Sequence, residues 1–299
     1  MVSKRDSQKK EKTFKVKWIY QSLGITKQAY YQRLKDDKVQ KVIEAKVLNW
    51  VLEIRKRMPQ TGGRKLYELI YNKLLEENIK MGRDALFRLL RKSGNLVRRT
   101  KRFHITTDSN HYFYKSPNLI KDLAITHSEQ VFVCDITYIQ IESAHAYLAL
   151  VTDAYSKNIM GWHLDDNMKV SLVKEALNMA NKNRIFKHKN IIHHSDRGLQ
   201  YCCPDYSTFA ENKGFILSTT QKYDPYENAI AERINGILKY EFALKETIAD
   251  IHLARKMVAQ AVHIYNNERP HWSLNLKTPS LVHEQFNKEK YKSYAITMN

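Results

Sequence analysis

Three carboxylates in the second half of the chain have residue types and settings suited to metal chemistry. Asp135 stands within residues 131–141, an apolar run rich in β-branched and aromatic residues that predicts a strand. Asp196 ends a second apolar run, and Glu232 falls in a run with helical spacing. A carboxylate inside an apolar strand is costly to bury unless something positive compensates it. The pattern therefore predicts a divalent-metal site in which Asp135, Asp196 and Glu232 are both ligands and catalytic residues.

The chemistry that such a set supports is cleavage and transfer at phosphodiesters. That reaction needs charge neutralised on the attacking, non-bridging and leaving oxygens, which two Mg²⁺ ions about 3.5–4 Å apart can do. Hard cations prefer carboxylate oxygens, so one Asp can bridge both ions while each further acid holds one. The chain contains no P-loop, HExxH or GxSxG motif that would indicate another catalytic set. The competing interpretation is three unrelated surface acids.

The helix that carries Glu232 has two distinct faces at about 100° per residue. Its apolar face, which we expect to pack on the sheet, consists of Ile230, Ile234, Ile237 and Leu238. Its polar face presents Asn228, Glu232, Asn235 and Lys239. A carboxylate with amides and a lysine within two turns predicts a surface for metal and phosphate. We therefore expect Asn228, Asn235 and Lys239 to contact DNA.

The charge of the chain is distributed unevenly. Its net charge is +19, and residues 1–120 hold 29 Lys and Arg against 11 Asp and Glu, whereas residues 121–299 are nearly balanced. This asymmetry favours a nucleic-acid-binding half over a merely solvated basic surface. The three cysteines, Cys134, Cys202 and Cys203, form no disulfide framework. The sequence also lacks a long apolar run and a signal peptide, which argues against a membrane span and secretion.

Apolar spacing divides the chain into a helical half and an α/β half. Residues 1–95 predict a basic helical region with two helix-turn-helix candidates. The first has Gly24 in its turn and Thr26 as the expected N-cap of a short second helix, which precedes a long helix over 39–58. The second exposes Arg83 and Arg88 for DNA. A basic linker over 96–128 predicts DNA contacts by Arg98, Arg99, Lys101 and Arg102. A linker that is only solvated is the alternative.

From residue 129 the pattern changes to short apolar runs with period two. Three predicted strands with hairpin spacing precede helices that alternate with two further strands, the last helix being predicted over 227–246. This order predicts an α/β fold of RNase H-like type over 129–247. It would be a mixed five-stranded sheet flanked by helices and preceded by the all-α helix-turn-helix region. A C-terminal helical segment over 248–299 completes the predicted organisation.

Motifs in chain order resemble a known family. Three of them are Asp135-Ile-Thr-Tyr138, His194-Ser-Asp-Arg-Gly-Leu-Gln-Tyr201 and Tyr226-Glu-Asn-Ala-Ile-Ala-Glu232, with 35 residues between the second and third acids. They resemble the DDE catalytic core of IS3-family insertion-sequence transposases, which is related to retroviral integrases. Residues 265–274 resemble the C-terminal motif of that family, and residues 62–66 resemble part of its helix-turn-helix region. The resemblance covers roughly residues 20–285.

The resemblance implies a DNA transposase catalytic subunit, a polynucleotidyl transferase that performs metal-dependent 3′-end cleavage and strand transfer of an insertion sequence. Asp135, Asp196 and Glu232 would bind two divalent ions, Mg²⁺ or Mn²⁺, and Lys239 would contact the terminal DNA. Implied partners are double-stranded DNA of transposon ends and target, further copies of the chain on DNA, and an upstream-frame protein joined by frameshifting. The implied location is the bacterial cytoplasm, at the nucleoid.

The chain departs from the family pattern at three positions, Phe132, Glu227 and Arg233. These bear on specificity more than on activity, because they leave the three acids intact. Two other functions fit some of the same features. One is a non-catalytic DNA-binding regulator or relic that occupies transposon ends, which the intact acids disfavour. The other is an RNase H-type nuclease, which the basic N-terminal half disfavours.

Several residues have two interpretations each. Asp153 is favoured as a turn former over a fourth metal acid. Arg269 and His271 either contact DNA or fasten the C-terminal segment onto the core. Zinc binding by the neighbouring histidines and cysteines is disfavoured, because their spacing does not suit a structural site. His194 is therefore interpreted as a neighbour of Asp196 in the active site.

Overall fold

A computed structural model of the chain describes residues 16–97, 112–142, 144–186, 190–221 and 228–285. The predicted DNA-contacting run Arg98, Arg99, Lys101 and Arg102 lies outside these residues. The chain divides into two compact units, Met1–Val51 and Leu52–Asn299. The domain boundaries predicted from the sequence stay a prediction. Among the described helices, none has the length and apolar content needed to cross a membrane.

The first unit is helical. Helix α1 spans Val16–Ser22, and helix α2 starts at Lys27 and ends at Arg57, beyond the unit boundary. Gly24 in the turn has φ +63°, and the Thr26 hydroxyl accepts a hydrogen bond from Ala29 N at 3.1 Å, which confirms Thr26 as the N-cap of α2. The predicted break between a short helix and a second helix over 39–58 is wrong. Residues 32–38 contain neither Gly nor Pro, so one 31-residue helix runs through them.

The second unit opens with a helix pair, α3 (Gly63–Glu76) and α4 (Arg83–Lys92). The apolar stripes of both helices meet, and Leu66, Ile70, Leu86 and Leu90 are fully buried. Arg83 and Arg88 remain exposed on α4, as expected from the sequence. This pair therefore forms the second predicted helix-turn-helix and keeps its basic side chains on the surface.

A mixed five-stranded sheet follows, in the order β3-β2-β1-β4-β5. Its strands are β1 (Val131–Gln140), β2 (His145–Asp153), β3 (Ile159–Asp165), β4 (Ile191–Ser195) and β5 (Phe215–Thr219). The first three strands pair antiparallel, whereas β4 pairs parallel with both β1 and β5. The predicted RNase H-like fold class is confirmed, and β1 lies at the centre of the sheet.

Helices cover both faces of this sheet. They are α5 (Val170–Asn183), α6 (Leu199–Cys202), α7 (Pro204–Glu211), α8 (Ala229–Glu241) and α9 (Ile251–Asn267), followed by a 3₁₀ helix (Trp272–Leu274) and a helix from residue 279 to 285. Helix α8 is shorter than its predicted span of 227–246. Its end is set by tertiary contact, because Gln60 N donates to the Glu241 carbonyl at 3.3 Å, and Ala243 then has φ +60°.

Alternation along β1 decides which helix each side chain faces. Phe132 and Cys134 pack into the core beneath α5 and α7, whereas Val133 and Ile139 pack into apolar clusters that include residues of α8. Asp135 lies an even number of residues from Val133 and from Ile139, so its side chain points to the same face of the sheet as theirs. The strand therefore directs the Asp135 carboxylate to the face of the sheet that α8 covers.

Gly161 in β3 allows α5 to approach the sheet closely. A Cβ atom at this position would lie 2.2 Å from Ala176 O and 2.5 Å from Ala180 N, both of them backbone atoms. We expect Gly161→Ala to lower the free energy of unfolding by about 1–3 kcal/mol or more through overpacking. Urea denaturation measures this loss.

Gly236 in α8 is the matched control, because a Cβ atom there would meet no atom within 4 Å. Gly236→Ala should leave the stability unchanged or raise it by up to about 1 kcal/mol through helix propensity. Equal effects of the two substitutions would contradict the close approach of α5.

Candidate active site

The parallel pairing of β1 with β4 brings the first two acids together. Cys134 is paired with Ser195, so the next position in the register sets Asp135 beside Asp196. Neighbouring strands lie roughly 4.8 Å apart, which makes the two carboxylates close neighbours. Asp196 is the first residue after β4, at the carboxyl end of a parallel strand, where functional groups gather in α/β folds.

A hydrogen bond from α8 holds the Asp135 carboxylate. Asn235 Nδ2 donates to Asp135 Oδ2 at 2.7 Å, and Asn228 Nδ2 donates to the Cys134 carbonyl at 3.1 Å. Both asparagines are buried, at 5% and 6% exposure. The amide face of α8 is therefore packed against β1, whereas the sequence pattern suggested a face open to ligands. Their predicted DNA contacts stay a prediction.

Two further residues of α8 flank this contact. Glu232 is exposed, and partial burial and the charge of Asp196 raise the pKa of its carboxyl group. Lys239 is half-buried with its Nζ 3.9 Å from the centroid of the Tyr138 ring. Burial lowers the pKa of Lys239 to about 8, and the nearby Asp135 charge partly offsets that shift. Helix α8 thus supplies one acid and one cation to the surroundings of Asp135.

The acids repel one another strongly. Burial raises the pKa of Asp135 to about 8, with further contributions from the charges of Asp196 and Glu232, although the hydrogen bond from Asn235 opposes the rise. Burial and the two neighbouring aspartates also raise the pKa of the Cys134 thiol well above its usual range. This thiol is buried and uncharged, which makes it an inert packing residue.

The loop after β4 holds the Asp196 carboxylate in place. Gly198 N donates to Asp196 Oδ1 at 3.0 Å, and a Cβ atom at Gly198 would lie only 3.0 Å from that same oxygen. Any other residue at this position would crowd the carboxylate. The glycine that follows Asp196 in the sequence motif is therefore explained by space next to the acid.

The donor set suits a hard divalent cation. The three carboxylates would offer oxygen ligands, and within the described part of the chain the Oδ1 atoms of Asn228 and Asn235 are buried without a hydrogen-bond partner. The same part of the chain contains no group of three or more His, Cys, Asp or Glu side chains already gathered to hold a metal ion. Like-charged carboxylates resist such gathering unless a cation lies between them.

The two histidines before Asp196 face opposite sides of the sheet. His194 is buried, with its Nδ1 2.9 Å from Ser218 Oγ on β5. His193 Nε2 lies 2.7 Å from the Tyr206 hydroxyl, and burial lowers the pKa of His193 to about 3. His193 is therefore a neutral core residue. The geometry gives His194 a contact with β5, and its role as a neighbour of the active site stays a prediction.

A buried ion cluster anchors the far end of α8. Arg269 donates from Nε and Nη2 to the two carboxylate oxygens of Glu241, at 2.8 Å each. Lys65 of α3 also reaches both oxygens, at 2.9 and 3.0 Å. Arg269 is only 2% exposed. Of the two roles open to Arg269, fastening the C-terminal segment to the core is confirmed. Sequence reasoning missed Glu241, because no local pattern joins residues separated by 28 and 176 positions.

His271 belongs to the same fastening. Its Nδ1 lies 3.0 Å from Ser273 Oγ, and its backbone N–H donates to the Lys277 carbonyl at 3.0 Å. Burial, together with the charges of Arg269 and Lys65, lowers the pKa of His271 to about 4. A neutral, buried imidazole in a closed loop is a structural residue.

Asp153 is a turn former, as favoured from the sequence. Its Oδ1 accepts hydrogen bonds from Ser156 N at 2.6 Å and Ser156 Oγ at 2.7 Å, and its Oδ2 accepts one from Glu129 N at 2.6 Å. His283 lies 3.0 Å from Ser156 Oγ and 3.4 Å from Glu129 Oε1. This buried group secures the C-terminal helix to the turn that follows β2.

Comparisons with known proteins identify the family of the chain. The integrase core domain family matches residues 125–225, and a second integrase core domain family matches residues 213–279. The insertion element IS600 31 kDa protein of Shigella sonnei is 31% identical over 271 residues, which cover 89% of this chain and 97% of that protein. Transposase InsF of insertion sequence IS3A from Escherichia coli is 30% identical over 184 residues, 61% of this chain and 64% of that protein. The chain belongs to the IS3 family of insertion-sequence transposases.

As an IS3-family member, the chain is a DNA transposase of the DDE polynucleotidyl transferase class with an integrase core. A solved structure with a similar arrangement is the HTLV-2 integrase catalytic core domain in complex with magnesium. It is 15% identical with a TM-score of 0.40, and the match covers 52% of this chain and 97% of that one. The resemblance inferred from the motifs is confirmed.

We expect Asp135→Asn to stabilise the metal-free protein at alkaline pH. The folded-state pKa of Asp135 is about 8 against an ordinary 3.8, so between these values the folded chain holds a proton that the unfolded chain has released. Stability therefore falls as the pH rises through this window. Asparagine removes the charge and keeps an acceptor for Asn235. Its stabilisation should be larger at pH 8 than at pH 5 by at least about 1 kcal/mol, the equivalent of roughly one pKa unit.

Urea denaturation in EDTA at both pH values measures this difference. Glu211→Gln, at an exposed acid on α7, is the control and should show no pH-dependent change. A variant Asp135→Asn that is no more stable than the parent at pH 8 would contradict the raised pKa of Asp135, which burial and the neighbouring acids cause.

We expect Arg269→Ala to lower the free energy of unfolding by about 3–5 kcal/mol, since it breaks a buried ion cluster and leaves the Glu241 charge with Lys65 alone. Lys56→Ala removes an exposed pair with Glu53 and should cost at most about 1 kcal/mol. Chemical denaturation compares the two. A loss below about 1 kcal/mol for Arg269→Ala would show that the cluster does not anchor α8.

Proposed function

We propose that Asp135, Asp196 and Glu232 catalyse metal-dependent cleavage at the 3′ ends of an insertion sequence and transfer of those ends to target DNA. One observation carries the proposal: the parallel register sets Asp135 beside Asp196, and α8 brings Glu232 into their electrostatic range. Hydrolysis would free a 3′-hydroxyl at the transposon end. That hydroxyl would attack the phosphorus of a target phosphodiester, forming a new P–O bond and displacing the 3′-oxygen of the target strand as the leaving group. No covalent enzyme intermediate is needed in either step.

A divalent metal ion fits the donor set, because its positive charge would offset the repulsion among the three carboxylates. Asp135, Asp196 and Glu232 would hold Mg²⁺ or Mn²⁺. When bound, such ions supply charge neutralisation on the phosphate oxygens and lower the pKa of the attacking group. The magnesium reported for the HTLV-2 integrase core supports the choice of a hard cation for this chain.

The surrounding residues of α8 position the acids and the DNA. The hydrogen bond from Asn235 fixes the Oδ2 atom of Asp135 and so would orient this carboxylate for metal binding. Lys239 would contact a phosphate near the reacting 3′ end, and below a pH of about 8 its amine keeps the proton that this contact needs. The hydrogen bond from Asn228 to the Cys134 carbonyl attaches the start of α8 to β1 and would thereby position Glu232 relative to the sheet.

The DNA itself would be bound over a wider surface. The excess of basic residues in the first 120 positions, with Arg83 and Arg88 exposed on α4, supports contacts to the phosphates of transposon ends and target. We further propose that several copies of the chain act together on DNA, and that an upstream-frame protein contributes to recognition of the ends.

The direct test is a cleavage and joining assay with the full chain and labelled duplexes copied from the ends of its own element. Products are expected with Mg²⁺ or Mn²⁺ and absent in EDTA. Asp135→Asn, Asp196→Asn and Glu232→Gln should each lower the rate by at least about 10³-fold, the range seen for residues that stabilise a transition state electrostatically. The exposed-acid variant Glu211→Gln should keep parental activity.

Two outcomes would overturn the assignment. If the three variants retained activity, the acids would not be the catalytic set. The second outcome is that neither the chain alone nor the chain fused to the upstream-frame protein gives a product with either metal. If DNA binding with a steep salt dependence persisted in that case, the chain would be a regulator of transposon ends instead.

A further inference from the structure

A groove of about 570 Å³ lies between the helix pair α3–α4 and the 3₁₀ helix at Trp272. Its lining combines three arginines and two acids with an exposed aromatic ring: Arg64, Arg83, Arg88, Glu68, Asp84 and Trp272. All of these residues belong to the second compact unit. The groove is separate from the three catalytic acids, none of which lines it.

The Trp272 ring is the most unusual surface of the groove. It is 52% exposed, although a ring of this size is normally covered. The Arg64 guanidinium lies 5.4 Å from its centroid, which fits a stacked cation–π pair. Such a pair presents one flat, polarisable face together with a positive charge.

The backbone holds this ring in place. Trp272 follows the buried His271, whose N–H and C=O bond to Lys277 and to the N–H groups of Leu274 and Leu276. Asn275 and Leu276 have φ of +53° and +65°, a conformation that a leucine rarely adopts. The loop that carries Trp272 is thus closed on itself and anchored next to Arg269, so the ring position is set before any ligand arrives.

The charges of the groove favour an anion. Three arginines stand against two carboxylates, and Arg83 Nε lies 3.4 Å from Asp84 Oδ1, so these two largely neutralise each other. Of the remaining charges, Arg64 and Arg88 outweigh Glu68. A cationic groove with an exposed ring suits a ligand that offers a flat aromatic face and a phosphate in one unit.

We propose that this groove binds an unpaired nucleotide of the DNA, with the base stacked on Trp272 and the adjacent phosphates held by Arg64 and Arg88. The inference rests on the proposed function, since it takes transposon or target DNA as the ligand. A duplex hides its base faces inside the helical stack, and contact with its backbone would need only cations. Stacking on an exposed tryptophan requires a base that has left its pair.

The test compares the affinity of the full chain for a blunt duplex and for the same duplex with a short single-stranded thymidine tail, both in EDTA. The parent should bind the tailed duplex more tightly. Trp272→Ala should weaken that binding about tenfold, the size of one lost base–aromatic stacking contact, and leave the blunt duplex unchanged. Trp272→Phe, which keeps an aromatic face, should retain most of the preference.

Tryptophan fluorescence supplies a second readout. A thymidine oligonucleotide should quench the parent, and this quenching should be lost in Trp272→Phe even though binding persists. Trp18→Ala is the matched control, because Trp18 is 55% exposed on α1 and outside the groove. It should leave the ratio of the two affinities unchanged. Arg91→Ala, at an exposed arginine of α4 outside the groove, should weaken both duplexes equally, whereas Arg64→Ala should lower the ratio.

Each of three results would overturn the proposal: no preference of the parent for the tailed duplex, an unchanged ratio of the two affinities in Trp272→Ala, or quenching that persists in Trp272→Phe. These outcomes are independent of catalysis, since the binding is measured without metal. Metal-dependent products with an unchanged ratio would refute only the groove. A ratio that responds to Trp272→Ala without any product would refute only the catalytic assignment.

Discussion

The parallel pairing of β1 with β4 sets two carboxylates side by side, where burial and their mutual repulsion both disfavour the charged form of Asp135. Asn235 holds one oxygen of Asp135, Gly198 leaves room beside Asp196, and α8 adds Glu232 to the same field. The arrangement destabilises the metal-free fold at neutral pH, because the folded chain must either keep a proton or hold like charges together. Such a cost is typical of a site built for a charged ligand.

The stability that tolerates this cost comes partly from the opposite end of α8. Glu241 is held there by Arg269 from the C-terminal segment and Lys65 from α3. These residues lie in two of the motifs that resemble the IS3 family, 62–66 and 265–274. The motifs therefore meet at one carboxylate, and their shared role is to fix the axis of the helix that carries Glu232. Fixing one end of a rigid helix limits the movement of an acid on it.

This anchor also has a consequence for the DNA-facing surface. The segment that delivers Arg269 to Glu241 continues directly into the loop that exposes Trp272, and Lys65 is preceded by Arg64, which stacks on that ring. The buried cluster and the proposed nucleotide groove are thus two sides of one contact between α3 and the C-terminal segment. A nucleotide in the groove would therefore contact α3 and the C-terminal segment, which are the same elements that position α8.

The sequence by itself determined the family, the order of the five strands along the chain, the three candidate acids and the basic character of the first 120 residues. These follow from local signals: apolar periodicity, motif spacing and the counts of charged residues. It also indicated that Thr26 caps a helix and that Asp153 forms a turn, because each side chain bonds to residues a few positions away.

Only the tertiary structure decided how these parts meet. The end of α8 at Glu241, the burial of Asn228 and Asn235, the fastening role of Arg269 and the groove at Trp272 all depend on partners distant in the chain. Helical periodicity showed which residues share a face of α8, but it could not show that the polar face packs against β1. That contact depends on the strand register, which is set by pairings across the whole sheet.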